Sequence, residues 1–174
     1  MCRNLSNLLI FVSLFSGVSF NFYLFNFYLK YIPGNVYINT IVASVGEAIS
    51  VFTACFILKL LGPRNAITTT CSISGIATII LWFAEVHGYI NEVPLIILMA
   101  RFGVSALFPI MYMSTLIYFP SRFLGAVFGI CNTTARALTI LAPMVAEIDT
   151  PVPEICLILI CTISIILSRL LVIP

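Results

Sequence analysis

Six long stretches of predominantly apolar residues follow one another along the sequence, separated by short segments with charges, proline or glycine. A helix needs about 20 apolar residues to cross the hydrocarbon core of a bilayer, and each stretch is long enough. We therefore predict a single all-α domain over residues 1–174, with short connections that make consecutive helices antiparallel neighbours. The predicted membrane helices are approximately Leu8–Leu29, Val36–Leu61, Ala66–Val86, Val93–Tyr118, Phe123–Ala146 and Ile155–Ile173.

The composition suits a bilayer and no other solvent. Of the 174 residues, 61% are hydrophobic and 8% are charged, whereas soluble domains average about 45–50% and about 25%. This composition predicts that the lipid bilayer is the environment of the chain. The sequence contains no basic run that could bind nucleic acid, so nucleic acid is not an expected partner. The first apolar stretch exceeds the h-region of a signal peptide and lacks a cleavage site after it, so we interpret it as a retained helix.

Basic residues are concentrated at one end of the predicted helices, and acidic residues at the other. The first end carries Arg3, Lys59, Arg64, Arg122 and Arg169, without an acidic residue. The opposite end carries Lys30, Glu85, His87, Glu92, Glu147, Asp149 and Glu154. An excess of Lys and Arg marks the cytoplasmic side of membrane proteins. We therefore predict a multi-pass membrane protein with both termini in the cytoplasm; the sequence does not specify which membrane.

Three charged residues, Glu47, Arg101 and Arg136, lie inside the predicted helices. A charge at the bilayer centre costs about 2.5–3.5 kcal/mol on insertion scales, so such groups face protein or water. At about 1.5 Å per residue, Glu47 and Arg136 lie near the midplane and Arg101 lies nearer the outer side. Glu47 and Arg136 occupy the middle helices of two triplets that enter from opposite sides, as inverted repeats do in secondary transporters. Glu47 is one candidate partner of Arg136; a pairing that serves only insertion is the alternative.

Three sequence motifs follow one another in the second, fourth and fifth predicted helices. They are Gly34-Asn35-Val36-Tyr37-Ile38-Asn39, Arg101-Phe102-Gly103-Val104-Ser105-Ala106, and Ala135-Arg136 through Ile140-Leu141-Ala142-Pro143. In order and spacing they resemble the C-terminal six-helix half of major facilitator superfamily transporters, in the organic cation, organic anion and carnitine branch. The resemblance implies transport of a small organic ion by alternating access, together with a second six-helix half or partner chain.

The resemblance also implies which residues line the substrate cavity. The implied substrate-binding residues are Tyr37, Asn39, Glu47, Arg101, Phe108, Tyr112, Asn132 and Arg136. The family position that matches Arg136 tends to be basic where anions or zwitterions are carried, which favours an organic anion or a carnitine-like substrate. The aromatic residues in this set are also typical of ordinary helix packing.

The chain departs from the family pattern mainly in its basic-end segments. Leu116–Pro120 lacks the family's acidic residue, Leu138 replaces a glycine, and Gly62-Pro63-Arg64 keeps only part of a Gly-Arg-Arg turn. These motifs gate the movement of helices in the family. A non-transporting structural subunit or a truncated transporter fragment is therefore the alternative function.

Catalytic chemistry has little support in the sequence. His87 is the single histidine and lies in a predicted outer loop, and the six cysteines form no C-x-x-C pair. Neither a carboxylate pair for acid–base catalysis nor a phosphate-binding loop is evident, and the cysteine spacing does not support a zinc site. We therefore expect no enzymatic activity, no metal site and no cofactor.

Overall fold

The computed structural model describes residues 2–32, 34–89, 92–148 and 151–171, with side chains from Asn7 onward. It is 89% helical, and its described residues contain no strand. The helices are α1 (Cys2–Tyr28), α2 (Val36–His87), α3 (Val93–Tyr118), α4 (Leu124–Thr139), α5 (Ala142–Ala146) and α6 (Val152–Leu170), and a 3-10 turn at Ser121–Phe123 precedes α4.

Five helical segments of the described chain are long and apolar enough to cross a membrane. They are Asn7–Tyr28, Val36–His87, Val93–Tyr118, Ser121–Ala146 and Val152–Leu170. The prediction of an all-α chain with membrane-spanning helices is thereby confirmed. The predicted end of the last helix at Ile173 lies outside the described residues.

Helix α2 covers the second and third predicted helices, and a break at Gly62 divides it. Gly62 has φ 74° and ψ 166°, a conformation that residues with a Cβ atom rarely adopt. Pro63 follows it and has no backbone N–H to continue the ladder. Gly62 is thus the turn that was predicted between Leu61 and Ala66.

The two parts of α2 lie side by side against α3. A Cβ atom on Gly46 would lie 3.0 Å from the Leu98 carbonyl oxygen, and one on Gly103 would lie 2.7 Å from the Ser74 nitrogen. In a straight helix, residues 46 and 74 would be about 42 Å apart. Both nevertheless contact α3 within about two turns, so the chain folds back at Gly62.

The fifth predicted helix, Phe123–Ala146, is interrupted in the structure. Helix α4 ends at Thr139 and α5 begins at Ala142. Pro143 cannot donate a hydrogen bond to the Thr139 carbonyl, and its ring crowds that group. The Leu141 N–H instead bonds the Leu138 oxygen at 3.1 Å, which tightens the chain locally. The small α5 helix therefore continues the span after a kink.

The apolar core has two parts, one toward each end of the bundle. The part nearer the basic residues contains Phe11, Leu14, Ile67, Ile110 and Met111. The part nearer the acidic residues contains Leu24, Leu81, Ile97 and Leu157. Helices α1 and α3 are the most enclosed, because half or more of their most apolar stretches are buried, compared with 22% for α2 and 17% for Ser121–Ala146. The most apolar stretches of α2 and of Ser121–Ala146 are thus the least covered by the rest of the bundle.

Candidate functional site

An ion pair between α2 and α3 joins two of the three predicted interior charges. Arg101 Nη2 donates to Glu47 Oε2 at 2.8 Å, and the two side chains are 3% and 41% exposed. Gly46 precedes Glu47 and lets α2 approach the α3 backbone at Leu98. The close approach of the helices therefore brings the carboxylate within reach of a buried guanidinium.

Helix α1 holds the other side of the Arg101 guanidinium. Its central carbon lies 4.0 Å from the centroid of the Phe22 ring, and Nη1 donates to the Phe22 carbonyl oxygen at 3.3 Å. A cation over an aromatic face is attracted by the ring quadrupole. Arg101 Nε is buried without a hydrogen-bond partner. Arg101 is thus held between the Phe22 ring and the Glu47 carboxylate, and its Nε–H group has no acceptor.

Arg136 does not pair with Glu47, so that predicted pairing is wrong. The Arg136 guanidinium donates to the Tyr23 hydroxyl and lies 5.3 Å from the centroid of the same ring. The reason lies in the packing, because α4 packs mainly on α1 whereas α2 packs on α3 and α6. Arg136 remains exposed on the outer surface of the bundle.

Three more of the predicted residues lie on the α3 and α4 sides of this region. The Tyr112 hydroxyl donates to Asn132 Oδ1 at 2.8 Å, and Asn132 Nδ2 donates to the Phe128 oxygen at 2.9 Å. The Phe108 ring contacts the Phe22 ring edge-on, with centroids 5.0 Å apart. These contacts join α3 to α4 and to α1.

Tyr37 and Asn39 do not join the group. They precede Glu47 by about 15 Å and about 12 Å along α2. Tyr37 is 81% exposed, and its backbone N–H bonds the side chain of Asn35, the residue that caps α2. Asn39 is buried, and its Nδ2 has no hydrogen-bond partner. The structure therefore assigns the first turn of α2 a role in starting the helix.

Sequence reasoning missed the two aromatic residues at the centre of the site. The Phe22 and Tyr23 rings lie 5.5 Å apart, nearly perpendicular to one another. Since Arg101 lies over the first ring and Arg136 beside the second, both cations flank one aromatic pair. The aromatic-rich run from Phe20 to Tyr28 was the available signal.

A second polar cluster, also missed, lies at the acidic end. The Tyr28 hydroxyl is 3.1 Å from Glu85 Oε2 and 3.2 Å from Glu154 Oε1. Glu154 was predicted to lie in a loop, but α6 begins at Val152, which places Glu154 in its first turn with 0% exposure.

Proton counting limits the charge of this cluster. The phenol carries one proton and can donate to one carboxylate only, so the other contact requires a proton on a carboxyl group. Glu85 Oε1 and Glu154 Oε2 are buried without a partner, and an unpaired buried charge is costly. Among residues 2–32, 34–89, 92–148 and 151–171, no group of three or more His, Cys, Asp or Glu side chains is arranged to hold a metal ion. The cluster is therefore suited to holding a proton.

The central site thus combines an ion pair, an exposed guanidinium and an aromatic pair within the membrane-spanning part of the bundle. Such a set can bind an organic ion through charge and ring contacts. No protein-family model matches the chain, and no curated protein matches its sequence significantly.

Proposed function

We propose that the chain is half of a secondary transporter that moves small organic ions by alternating access. The observation that carries this proposal is the exposure of charge on the membrane-spanning surface. Glu47 is 41% exposed and Arg136 is exposed, and a charge in contact with lipid is expensive. These groups therefore need a water-filled cavity or a second protein surface beside them.

The proposed ligand follows from the groups that remain available. Arg136 has a hydroxyl partner and, among the residues that the structure describes, no carboxylate partner, so it keeps its full charge for an anionic group. Glu47 and Arg101 neutralise one another, and the Phe22 and Tyr23 rings offer apolar and cation–π surface. An organic anion or a carnitine-like zwitterion, with its carboxylate on Arg136, suits this arrangement best.

The proposed topology has six crossings, with α2 crossing twice. A straight helix of 52 residues would be about 78 Å long, whereas the hydrocarbon core is about 30 Å thick. The fold-back at Gly62 supports two crossings, and the helices then divide into two inverted triplets. Both termini would lie on the basic, cytoplasmic side.

A second six-helix half is the proposed partner. Glu47 of α2 and Arg136 of α4 are both at least partly exposed, and a transporter cavity needs two walls. The isolated chain is therefore expected to transport poorly. Saturable uptake by a monomeric reconstituted chain would contradict this arrangement.

The alternative function is a non-transporting structural subunit. The Glu47–Arg101 pair favours it, because a neutralised pair lets a bundle insert without binding any substrate. In that role, the exposed Arg136 would contact the surface of a partner protein and not a substrate.

Uptake measurements on Arg136→Ala test the proposal. The tagged chain is purified with its partners from native membrane, reconstituted, and supplied with radiolabelled organic anions, carnitine-like zwitterions and organic cations. We expect saturable anion or zwitterion uptake that falls at least tenfold in Arg136→Ala with normal membrane insertion, because the carboxylate loses a charge-assisted bond.

Arg122→Ala is the matched control, since Arg122 is an exposed arginine in the short turn before α4. It should leave uptake unchanged. No uptake of any labelled ion by the intact assembly, or uptake insensitive to Arg136→Ala, would favour the structural subunit.

A further inference from the structure

An unassigned cavity lies at the basic end of the bundle, remote from the central site. It has a volume of about 420 Å³ and lies where the fold-back of α2 meets the ends of α3 and α6. Small-molecule sites usually measure about 300–1,000 Å³. Gly62, Arg64, Tyr118 and Arg169 are among the residues that line it.

Two hydrogen-bond donors in the lining of this cavity have no acceptor. Arg64 Nη2 donates to the Arg169 carbonyl oxygen at 2.6 Å, but Arg64 Nε is buried without a partner. Tyr118 is 5% exposed, and its hydroxyl is likewise buried without a partner. Buried polar groups are nearly always hydrogen-bonded, so these unused donors indicate a missing acceptor.

The cavity also carries uncompensated positive charge. Arg64 and Arg169 both line it, and no acidic residue is among its lining residues in the described chain. The break at Gly62 makes Pro63 the first residue of the second part of α2. A helix N-terminus adds partial positive charge and favours anions. The helix start and the two arginine residues that line the cavity are therefore suited to an oxyanion.

We propose that this cavity binds a phosphate group. Guanidinium groups match phosphate geometry through paired donors, and phosphate accepts from several donors at once, including the Tyr118 hydroxyl. In the proposed six-crossing topology, Arg64 follows the break at Gly62 and Arg169 is close to the end of α6, so both would lie at the depth of the lipid headgroups. An anionic lipid headgroup and a free phosphate both carry the required chemistry, and the lipid is already at the correct depth.

The test measures binding to the purified full chain. Thermal unfolding is followed in nanodiscs of phosphatidylcholine, in nanodiscs that add phosphatidylglycerol, and in phosphatidylcholine nanodiscs with inorganic phosphate. We expect phosphatidylglycerol to raise Tm, since a ligand that binds the folded state stabilises it. A rise with inorganic phosphate alone would support the site with a soluble source, and a rise in neither arm would overturn the proposal.

Variants assign the effect to the cavity. Arg64→Gln should weaken the apparent affinity for phosphatidylglycerol about tenfold, because a charge-assisted bond is lost. Tyr118→Phe keeps the ring and should weaken it about threefold. The control Arg122→Gln removes a basic residue from the same end, outside the cavity lining, and should change nothing. An equal loss in Arg122→Gln, or unchanged affinity in both cavity variants, would overturn the proposal.

Discussion

The contacts of the interior charges decide what each charge can do. Arg101 is enclosed by Glu47 and Phe22, whereas Arg136 contacts Tyr23 and is exposed. A buried cation that loses its counter-ion stays uncompensated, but an exposed one can be hydrated. Removing one member of the Glu47–Arg101 pair should therefore lower stability, whereas Arg136 is available to bind a ligand.

Replacing Glu47 tests the structural share of that pair. Glu47→Gln should lower the free energy of unfolding by about 1–2 kcal/mol, less than the usual loss for a fully buried pair because Glu47 is half exposed. Glu147→Gln is the control, since its contact with Lys30 is 3.9 Å long and exposed, and it should cost less than about 0.5 kcal/mol. Denaturation in detergent measures both, and equal losses would contradict the assignment.

The contacts among Tyr28, Glu85 and Glu154 predict that one of the two carboxyl groups is protonated. A glutamine resembles a protonated carboxyl group in shape and can donate to the Tyr28 oxygen. Glu154→Gln should therefore keep Tm close to wild type. Tyr28→Phe removes the shared hydroxyl between Glu85 and Glu154 and should cost about 1–3 kcal/mol.

Thermal unfolding of the two variants checks this pair of expectations. Tyr31→Phe supplies the control, because Tyr31 is an exposed tyrosine close to the same end of α1. A Glu154→Gln variant less stable than Tyr28→Phe would contradict a protonated carboxyl group at Glu154.

Helix packing depends on glycines that admit another backbone. Gly103 of α3 faces Ser74 and Thr70 of α2 so closely that an added Cβ atom would lie within 3 Å of their backbone atoms. Gly129 of α4 has nothing within 4 Å. Close packing therefore requires glycine at position 103 of α3, whereas a larger residue would fit at position 129 of α4.

Alanine substitution separates these two cases. Gly103→Ala should destabilise the bundle by about 1–3 kcal/mol or more, because the α2 and α3 backbones must move apart. Gly129→Ala should be neutral or stabilising by up to about 1 kcal/mol, since alanine favours a helix. Tm values of the purified variants give the answer, and a harmless Gly103→Ala would contradict the described packing.

The number of crossings sets the topology of the whole molecule. Five crossings would put the termini on opposite sides, whereas a second crossing by α2 puts them on the same side. The Gly62 fold-back and its basic neighbour Arg64 then lie on the side of the termini. The proposed topology thus depends on the break at Gly62, a residue with a positive φ.

Single cysteines in a cysteine-free variant test this arrangement. Cysteines at the exposed positions Asn65 and Ser121 should react with an impermeant thiol reagent only after the membrane is opened. A cysteine at Tyr89 or Tyr31, at the other end, should react from outside intact cells. Labelling of Asn65 from outside would contradict both the second crossing and the cytoplasmic position of the basic end.

Local sequence properties were enough to predict the helices, the fold-back and the interior position of Arg101. Apolar length predicts a membrane helix because every backbone polar group must be satisfied within the segment. Gly62-Pro63 predicts a turn because neither residue favours a helix interior. Two helix boundaries differed from the prediction. Helix α6 begins at Val152, before the predicted start at Ile155. Helix α4 ends at Thr139 because Pro143 interrupts the hydrogen-bond ladder there.

The tertiary structure alone decided which side chains pair with the interior charges. Glu47 and Arg136 have matching depth and opposite charge, yet α4 packs on α1 and α2 packs on α3, so each charge finds another partner. Periodicity assigns a side chain to a height and a face of its own helix, but the order of helices around the bundle comes from how their surfaces pack. The sequence therefore determined which segments are long and apolar enough to cross a membrane, and only packing decided that Phe22 and Tyr23 would lie between Arg101 and Arg136.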